Sequence, residues 1–326
     1  MTKARAMRIH SHGGPEVLVA DMLDLPDPGA GEVLLRHTAI GVNFQDVYHR
    51  SGFYPLSMPS GIGTEAVGVV EKLGAGVAGV AIGERVGYAG GAPGAYSDYR
   101  NLPADRLVKI PAGISDEVAA AALLKGMTVE YLLNRCYPVA AGESVLMYAA
   151  AGGVGLIAGQ WGRHLGARMI GVASGAEKCA LARAHGFAEV IDRTSQDVAT
   201  QVKALTAGAG VPVAYDSVGR ATFETTMKCL APRGMFVSFG TTTGAPPAVE
   251  AGMLQKLGSL YFTRPTLVTY TATRAALDAS AAAVFGLITR GILKVSVNAR
   301  YALADAARAH ADLEGGRTSG SSIIVP

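Results

Sequence analysis

The sequence has little of what would define a secreted or membrane-bound protein. Three cysteines in 326 residues are too few and too scattered for a disulfide framework or a zinc site built from thiolates. No run of about 18 apolar residues is present to span a bilayer. The N-terminal segment MTKARAMRIHSHGG lacks the apolar core of a signal peptide. We therefore expect a cytoplasmic protein in a reducing compartment.

Excess charge of either sign is also missing. The chain carries 29 lysines and arginines against 26 aspartates and glutamates, which leaves a net charge of +3. This balance does not point to nucleic acid or to a membrane surface. A basic stripe with interleaved aromatic residues, which would favour RNA binding, is absent as well. With 49% apolar residues, the chain is long enough for two domains with cores of their own.

The pattern of apolar residues changes near residue 125. Before it, glycine and proline separate short β-like runs at 32–40, 65–73 and 85–88, which predicts a compact, mostly β domain. After it, nearly continuous apolar runs alternate with helical stretches, as in a parallel sheet buried on both faces. These runs are SVLMYA (144–149), RMIGV (168–172), EVI (189–191), VAYD (213–216), MFVSF (235–239) and SLYF (259–262).

Six such strands with intervening helices predict an α/β fold, with a doubly wound parallel sheet over residues 126–263. Beyond 264, the segment ATRAALDASAAAVFGLITRG predicts a long helix, and SSIIVP predicts a last strand. We expect residues 264–326 to rejoin the first domain, which otherwise covers 1–125.

A cluster of small residues, YAAAGGVGLIAGQW, occupies positions 148–161. It has Ala150, Gly152 and Gly155 at the spacing of the dinucleotide fingerprint GxGxxG, with alanine in the first place. It follows a predicted strand and opens a predicted helix, whose free N–H groups and positive dipole favour a pyrophosphate. Gly152 and Gly153 would let backbone and phosphate approach, whereas Gly155 would let helix and sheet touch. The alternative is that the small residues serve close packing alone.

The end of the second predicted strand distinguishes the two dinucleotides. NAD sites usually place a carboxylate there for the ribose, but this chain has Ala173 and Ser174. With no acid to repel a 2'-phosphate, Ser174, Lys178 and Arg193 could bind one. This favours NADP(H), although Lys178 and Arg193 could also be ordinary solvated surface cations.

Longer runs carry a family resemblance. GESVLMYAAAGGVGLIAGQWGR (142–163) resembles the signature segment of the quinone oxidoreductases, the zeta-crystallin branch of the medium-chain dehydrogenase/reductase superfamily. Further runs agree in the family's order: GVNFQDVYHRSGFYP, PSGIGTEAVGVV, GERVGYA, LLKGMTVEYLL, YDSVG and GSLYFTRPTL. The resemblance implies a GroES-like β domain beside a Rossmann domain. It also implies a homodimer that extends the Rossmann sheet across two chains.

Zinc alcohol dehydrogenases belong to the same superfamily, so a metal site has to be considered. They carry cysteine where this chain has Asn43 and histidine where it has Thr64, and they draw another ligand from the region that is here Ala119–Ala122. Zinc needs three ligands of the Cys, His or carboxylate type. We therefore expect no metal and a structural role for Asp46 and Glu65, in which they bond backbone or hold arginine side chains.

A metal-free site must chiefly place the nicotinamide against an acceptor and offer a donor to the developing oxyanion. By resemblance, Asn43, Tyr48 and Tyr54 line the nicotinamide and substrate pocket. Asn43 could donate an amide N–H, and the tyrosines could stack or donate. Alternatively, Asn43 only forms a turn and the tyrosines only cover a helix.

The resemblance adds cofactor contacts elsewhere in the chain. Gly240 has an alternative explanation as a turn residue. Arg193 stands where many family members have tyrosine beside the adenosine, and a guanidinium can stack or pair with phosphate. The complete predicted NADPH site is Tyr131, Gly152, Gly153, Val154, Gly155, Ser174, Gly175, Lys178, Arg193, Phe239, Gly240, Thr241 and Arg264.

The leading hypothesis is an NADPH-dependent quinone reductase that needs no metal. A second hypothesis is reduction of enals or other conjugated carbonyls, because hydride addition to them needs similar geometry. A third is an NADPH-binding protein with little catalysis.

Overall fold

The computed structural model describes residues 1–326 and divides them into two compact units. The β unit consists of Met1–Met127 and Tyr270–Pro326, and the parallel-sheet unit consists of Thr128–Thr269. Residues 264–269 lie in the parallel-sheet unit, whereas the sequence predicted that the returning tail begins at 264. No helix combines the length and apolar character needed to cross a membrane.

The chain forms sixteen strands and ten α-helices, which alternate regularly only from β9 to β14. The strands are β1 (Thr2–Ile9), β2 (Val19–Leu25), β3 (Glu32–Gly41), β4 (Ser60–Gly61), β5 (Glu65–Leu73), β6 (Arg85–Ala89), β7 (Tyr99–Pro103), β8 (Val108–Lys109), β9 (Ser144–Met147), β10 (Arg168–Ala173), β11 (Glu189–Asp192), β12 (Val211–Asp216), β13 (Leu230–Ser238), β14 (Tyr261–Thr263), β15 (Val297–Ala302) and β16 (Ser321–Val325). The helices are α1 (Phe44–Ser51), α2 (Asp116–Tyr131), α3 (Gly153–His164), α4 (Ala176–Ala184), α5 (Val198–Leu205), α6 (Phe223–Cys229), α7 (Ala251–Lys256), α8 (Leu267–Tyr270), α9 (Arg274–Thr289) and α10 (Ala306–Glu314).

The parallel-sheet unit is built on six parallel strands in the order β11-β10-β9-β12-β13-β14. All six were predicted as continuous apolar runs, and the structure confirms the doubly wound sheet. Leu146, Ile170 and Phe236 are fully buried in its core, as expected for strands covered on both faces. The strand order reverses between β9 and β12, which opens a crevice at the carboxyl ends of the strands.

The β unit contains a seven-stranded sheet in the order β15-β16-β3-β5-β6-β8, with β7 paired to β3. A three-stranded sheet, β2-β1-β4, accompanies it. The predicted runs at 32–40, 65–73 and 85–88 are β3, β5 and β6. In the tail, the predicted long helix is α9, and the predicted last strand is β16, which pairs with β3.

Sequence patterning missed the antiparallel hairpin of β1 and β2, which pairs Thr2 with Leu25 and Arg8 with Val19. No residue of β2 is buried. A strand with no buried face has no apolar face to reveal it, so its alternation resembled that of a loop.

Buried histidines make the stability of the β unit dependent on pH. His37 is 3% exposed, and its Nδ1 donates to the carbonyl of Ser97 at 2.8 Å, which leaves Nε2 to accept from the hydroxyl of Tyr88 at 3.1 Å. Burial lowers the pKa of His37 from 6.5 to about 4. Burial, with the nearby charge of Arg50, lowers the pKa of His310 to about 3. Both imidazoles are therefore neutral when folded at pH 5.

We expect His37→Gln to flatten the dependence of stability on pH. Below pH 6.5 the unfolded His37 binds a proton that the folded one refuses, so its contribution is lost as the pH falls from 6.5 towards 4. A difference of one bound proton between the unfolded and folded states changes the free energy of unfolding by about 1.4 kcal/mol per pH unit. Urea unfolding of the variant and the wild type between pH 4.5 and 6.5 gives the two slopes. Equal slopes would contradict the prediction, whatever the variant's absolute stability.

Candidate functional site

Asn43 lies directly before α1, in an extended conformation with φ −135° and ψ 151°. Its backbone N–H donates to Oδ2 of Asp46 at 2.9 Å, which satisfies a donor at the start of the helix. Asn43 is 6% exposed. Its backbone thus begins a helix, and the side chain is held in the interior of the β unit.

The amide of Asn43 is oriented by Glu65. Asn43 Nδ2 donates to Glu65 Oε2 at 2.8 Å, and Glu65 Oε1 accepts the backbone N–H of Leu124 at 2.7 Å. Gly41 leaves room for this arrangement, since a Cβ there would lie 2.6 Å from the carbonyl oxygen of Ala120 and would overlap the Glu65 carboxylate. One amide N–H of Asn43 is therefore committed, and the other is available for a ligand.

Glu65 is completely buried, and burial raises its pKa, although Lys125 and the hydrogen-bond donors oppose this. Its cation is Lys125, whose Nζ lies 3.7 Å from Oε2. The expectation that Glu65 bonds backbone is met by Leu124, but the expected arginine is a lysine instead. Lys125 lies in the run LLKGMTVEYLL that carries the family resemblance, but the sequence predicted no role for it.

Asp46 is equally buried, with Oδ2 accepting from the hydroxyl of Tyr96 at 3.0 Å and Oδ1 without a hydrogen-bond partner. Burial raises the pKa of Asp46 to about 7. The Tyr96 hydroxyl also lies 3.0 Å from Nε2 of His310. Arg50, which pairs with Glu314 at 2.7 Å, extends this network to the surface.

Aromatic rings surround the remaining predicted catalytic residues. The rings of Tyr48 and Tyr54 meet edge to face with centroids 5.3 Å apart, and Tyr48 also lies 5.4 Å from Phe53 and 6.2 Å from Phe44. Phe53 is 44% exposed. Such a surface suits a flat conjugated ring, which binds to aromatic faces and edges. The structure brings the rings of Tyr48 and Tyr54 together, whereas the contacts of Asn43 are with Asp46 and Glu65, so a joint role of the three residues stays a prediction.

The place where zinc relatives hold a metal contains other groups here. Ala119–Ala122 are fully buried in α2, and Oγ1 of Thr64 is buried without a hydrogen-bond partner. No group of three or more His, Cys, Asp or Glu side chains is arranged to hold a metal ion.

In the parallel-sheet unit, the small-residue cluster forms the turn from β9 to α3. β9 ends at Met147, two residues earlier than predicted, because Ala149 turns the chain with φ 51°. Gly152 is the N-cap of α3, whose first turn contains no acidic residue and no capping side chain. The N–H groups of that turn therefore face outward without a side-chain acceptor.

Positions 155 and 152 of this turn are glycine for different physical reasons. A Cβ on Gly155 would overlap the carbonyl oxygen of Ala149 and lie 2.6 Å from that of Ala150, so packing alone requires glycine there. A Cβ on Gly152 would only approach Ala149 O to 3.2 Å, and its φ of −81° suits any residue. Packing therefore accounts for Gly155 but does not require glycine at Gly152, which leaves the approach of a ligand as the better explanation.

The ends of β10 and β11 meet as predicted, but with one difference. Arg193 Nε donates to Oγ of Ser174 at 2.6 Å. Oδ1 of Asp192 accepts the backbone N–H of Gly175 at 2.9 Å and the N–H and hydroxyl of Thr194 at 3.0 and 2.7 Å. The second strand ends without a carboxylate, as predicted, but Asp192 at the end of the third strand brings one beside Gly175. These donors lower its pKa.

The other predicted cofactor residues also follow strand or helix ends. Tyr131, at the end of α2, is 2% exposed. Gly240, after β13, is explained by close approach rather than by a turn, since a Cβ would lie 2.6 Å from Ser217 O. Arg264, after β14, donates to the carbonyl of Ser238 at 2.9 Å. The residues of this group that share the carboxyl edge of the sheet are Gly152, Ser174, Arg193, Phe239, Gly240, Thr241 and Arg264.

The two units define a two-domain dehydrogenase. A family described as "Alcohol dehydrogenase GroES-like domain" matches residues 29–112, and one described as "Zinc-binding dehydrogenase" matches residues 153–282. Quinone oxidoreductase of Pseudomonas aeruginosa is 48% identical over 99% of this chain and 100% of its own length. The solved structure of Escherichia coli quinone oxidoreductase complexed with NADPH is 47% identical and superposes with a TM-score of 0.97 over 99% of this chain and 100% of that one.

A third relative is named for a different substrate. 2-Haloacrylate reductase of Burkholderia is 42% identical over 98% of both chains. The chain belongs to the quinone oxidoreductase family of the medium-chain dehydrogenase/reductase superfamily, which confirms the resemblance seen in the sequence.

Proposed function

We propose that this protein is an NADPH:quinone oxidoreductase. The observation that carries the proposal is the full-length likeness to quinone oxidoreductases, one of them complexed with NADPH. When bound, NADPH supplies a hydride. A quinone is planar and already electrophilic, so the protein must provide a flat binding surface and hydrogen-bond donors more than a Lewis acid.

We assign the substrate side to the β unit. Asn43 would donate its second amide N–H to a quinone oxygen, while Glu65 prevents the amide from rotating. Tyr48 and Tyr54, with Phe53, would hold the ring. In domain terms, residues 1–125 and 264–326 would form the GroES-like catalytic domain, and 126–263 the Rossmann domain that binds NADP.

We assign the cofactor to the parallel-sheet unit. The open approach at Gly152 fits a pyrophosphate on the first turn of α3. Arg193 and Ser174, already bonded to each other, fit a 2'-phosphate together with Lys178. The residues that would contact NADPH are Tyr131, Gly152, Gly153, Val154, Gly155, Ser174, Gly175, Lys178, Arg193, Phe239, Gly240, Thr241 and Arg264.

The direct test is oxidation of NADPH and NADH by a panel of quinones with the purified protein. We expect quinone-dependent oxidation of NADPH that a chelator leaves unchanged. Tyr48→Phe then tests whether the Tyr48 hydroxyl contributes to kcat/KM on the best substrate. Turnover with NADH alone would refute the cofactor assignment. Binding of NADPH without turnover on any quinone would favour a binding protein.

A second candidate is reduction of a conjugated carbonyl, favoured by the likeness to 2-haloacrylate reductase. The same donor at Asn43 would stabilise the enolate that forms when hydride adds to the alkene. Comparing kcat/KM for quinones, enals and 2-haloacrylates separates the two. A preference of more than about tenfold, or about 1.4 kcal/mol in transition-state binding, would decide between them.

We further propose a homodimer that continues the parallel sheet into a second copy. β14 is the edge strand of that sheet, and Tyr261 on it is 59% exposed. Val268 nearby in the chain is 60% exposed. An edge strand with exposed apolar side chains is suited to pairing. Sedimentation should give twice the mass of one chain, and Tyr261→Lys should shift it towards one; a monomeric wild type would contradict this.

We also place the protein in the cytoplasm. No disulfide bond is formed among the three cysteines, as expected in a reducing compartment. Fractionation of cells that express a tagged chain would test this, and recovery from the periplasm or the medium would contradict it.

A further inference from the structure

Lys125 is a buried ammonium group without hydrogen bonds. Its side chain is 7% exposed, and no acceptor lies within hydrogen-bond distance of Nζ. Its counter-charge is Glu65, at 3.7 Å from Nζ, which is too far for a hydrogen bond. Leaving an ion of this kind without hydrogen bonds costs several kcal/mol. The N–H groups of Lys125 therefore lack an acceptor in this structure, in which Nζ itself is covered by its neighbours.

The surroundings of Lys125 suggest where that acceptor belongs. Asn43 Nδ2 donates to Oε2 of Glu65 at 2.8 Å, and Nζ of Lys125 lies 3.7 Å from the same oxygen, so the carboxylate brings the two nitrogen atoms close to each other. Thr64, which precedes Glu65, and Asp46, which caps α1 with Asn43, each bury an oxygen that also lacks a hydrogen bond. Unsatisfied polar atoms of this kind are rare in folded proteins and often mark functional sites.

We propose that Lys125 pairs with the oxyanion of the reduced quinone and gives it a proton. This inference rests on the proposed function and adds to it the proton donor that no sequence motif identified. Asn43 would hold the same oxygen before the transfer, and Glu65 would remain the counter-charge of Lys125.

The quinone that has received a hydride, which brings two electrons, carries one oxyanion. An N–H bond of Lys125 breaks, its electron pair stays on Nζ, and an O–H bond forms on the product. The neutral amine regains a proton from water after the hydroquinone leaves. Overall, quinone, NADPH and one proton become hydroquinone and NADP⁺.

The first test compares Lys125→Met with the wild type over quinones whose hydroquinones differ in acidity. We expect kcat to fall about 100-fold for the least acidic hydroquinones and only a few-fold for the most acidic, since general acid catalysis contributes about 10²- to 10⁴-fold where a proton is most needed. Lys109→Met, which removes an exposed lysine paired with Glu84, is the matched control and should behave as the wild type. An equal loss on every quinone would overturn the proposal.

A double variant separates donor chemistry from the loss of a counter-charge. Lys125→Met leaves Glu65 buried without its cation, whereas Glu65→Gln with Lys125→Met leaves a neutral pair. If Lys125 is the donor, the double variant stays as slow as the single one. Recovery of activity in the double variant would show that Lys125 only neutralises Glu65.

A binding measurement gives a readout that needs no turnover. We use 4-nitrophenol, a ring whose phenolate is coloured, with the NADP⁺ complex of each variant. In the wild type, Lys125 should favour phenolate over phenol by about tenfold, which lowers the apparent pKa of the bound probe by about one unit. Lys125→Met should abolish this shift. A wild type without quinone turnover refutes the proposed function, whereas turnover with an unshifted probe refutes only the role of Lys125.

Discussion

Arg193→Ala is expected to lose about 10- to 100-fold in kcat/KM with NADPH while kcat/KM with NADH stays nearly unchanged. The guanidinium lies at the end of β11, already bonded to Ser174, and charge-assisted hydrogen bonds to a phosphate contribute about 1.5–3 kcal/mol. NADH has no 2'-phosphate and does not form these bonds, so its kcat/KM does not depend on them. Steady-state kinetics with both cofactors at a fixed quinone concentration measure the two ratios.

Two variants control for this result. Arg193→Lys keeps the charge without the planar fork and should fall between the wild type and Arg193→Ala. Arg163→Ala removes an exposed arginine at the other end of α3 and should change neither cofactor. An equal loss with NADPH and NADH would instead assign Arg193 to adenine stacking. Asp192 adds to the expected loss with NADPH, because its carboxylate lies beside the same loop and would repel the 2'-phosphate once the arginine is gone.

Gly155→Ala is expected to weaken NADPH binding at least about tenfold and to destabilise the protein by about 1–3 kcal/mol. The new methyl group would collide with two backbone carbonyls, of Ala149 and Ala150, which cannot move as a side chain does. The turn must then open, and the N–H groups of the first turn of α3 lose their common direction. Titration of NADPH by fluorescence and a thermal melt measure the two effects.

Two other glycine-to-alanine variants serve as controls for Gly155→Ala. Gly286→Ala places a methyl group in open space within α9 and should stabilise the helix by about 0.5–1 kcal/mol without changing NADPH affinity. Gly152→Ala should lower the melting temperature less than Gly155→Ala does, because its Cβ would meet one backbone carbonyl at 3.2 Å instead of overlapping two, yet it should also weaken NADPH binding. If Gly155→Ala melts and binds like the wild type, the turn is not the rigid support that the structure indicates.

Much of the fold could be predicted from local patterns. Continuous apolar runs identified all six strands of the parallel sheet, and the small-residue turn after β9 was placed before the helix that it opens. These features depend on side chains close together in the chain, where periodicity records burial directly. The β1–β2 hairpin escaped because β2 buries no residue.

The site was only partly predictable. Asn43, Tyr48 and Tyr54 lie within one short segment, so a motif could reveal them together. Asp192 was not predicted, because the usual position of the acid is the end of the second strand, whereas here the third strand supplies it. The sequence predicted a structural role for Asp46 and Glu65 but could not name Tyr96 and Lys125 as their neighbours.

Residue order alone was therefore enough for the family, the α/β architecture and the dinucleotide turn, since each is recorded in contiguous stretches. Only the tertiary structure shows the surroundings of the buried charged side chains, because these surroundings come from segments far apart in the sequence. Asn43 and Glu65 are 22 residues apart and Leu124 is 59 residues from Glu65, yet they share one buried carboxylate with Lys125. Whether a lysine is a solvated surface cation or an unsatisfied buried donor depends on its burial and neighbours, and local sequence carries no record of these.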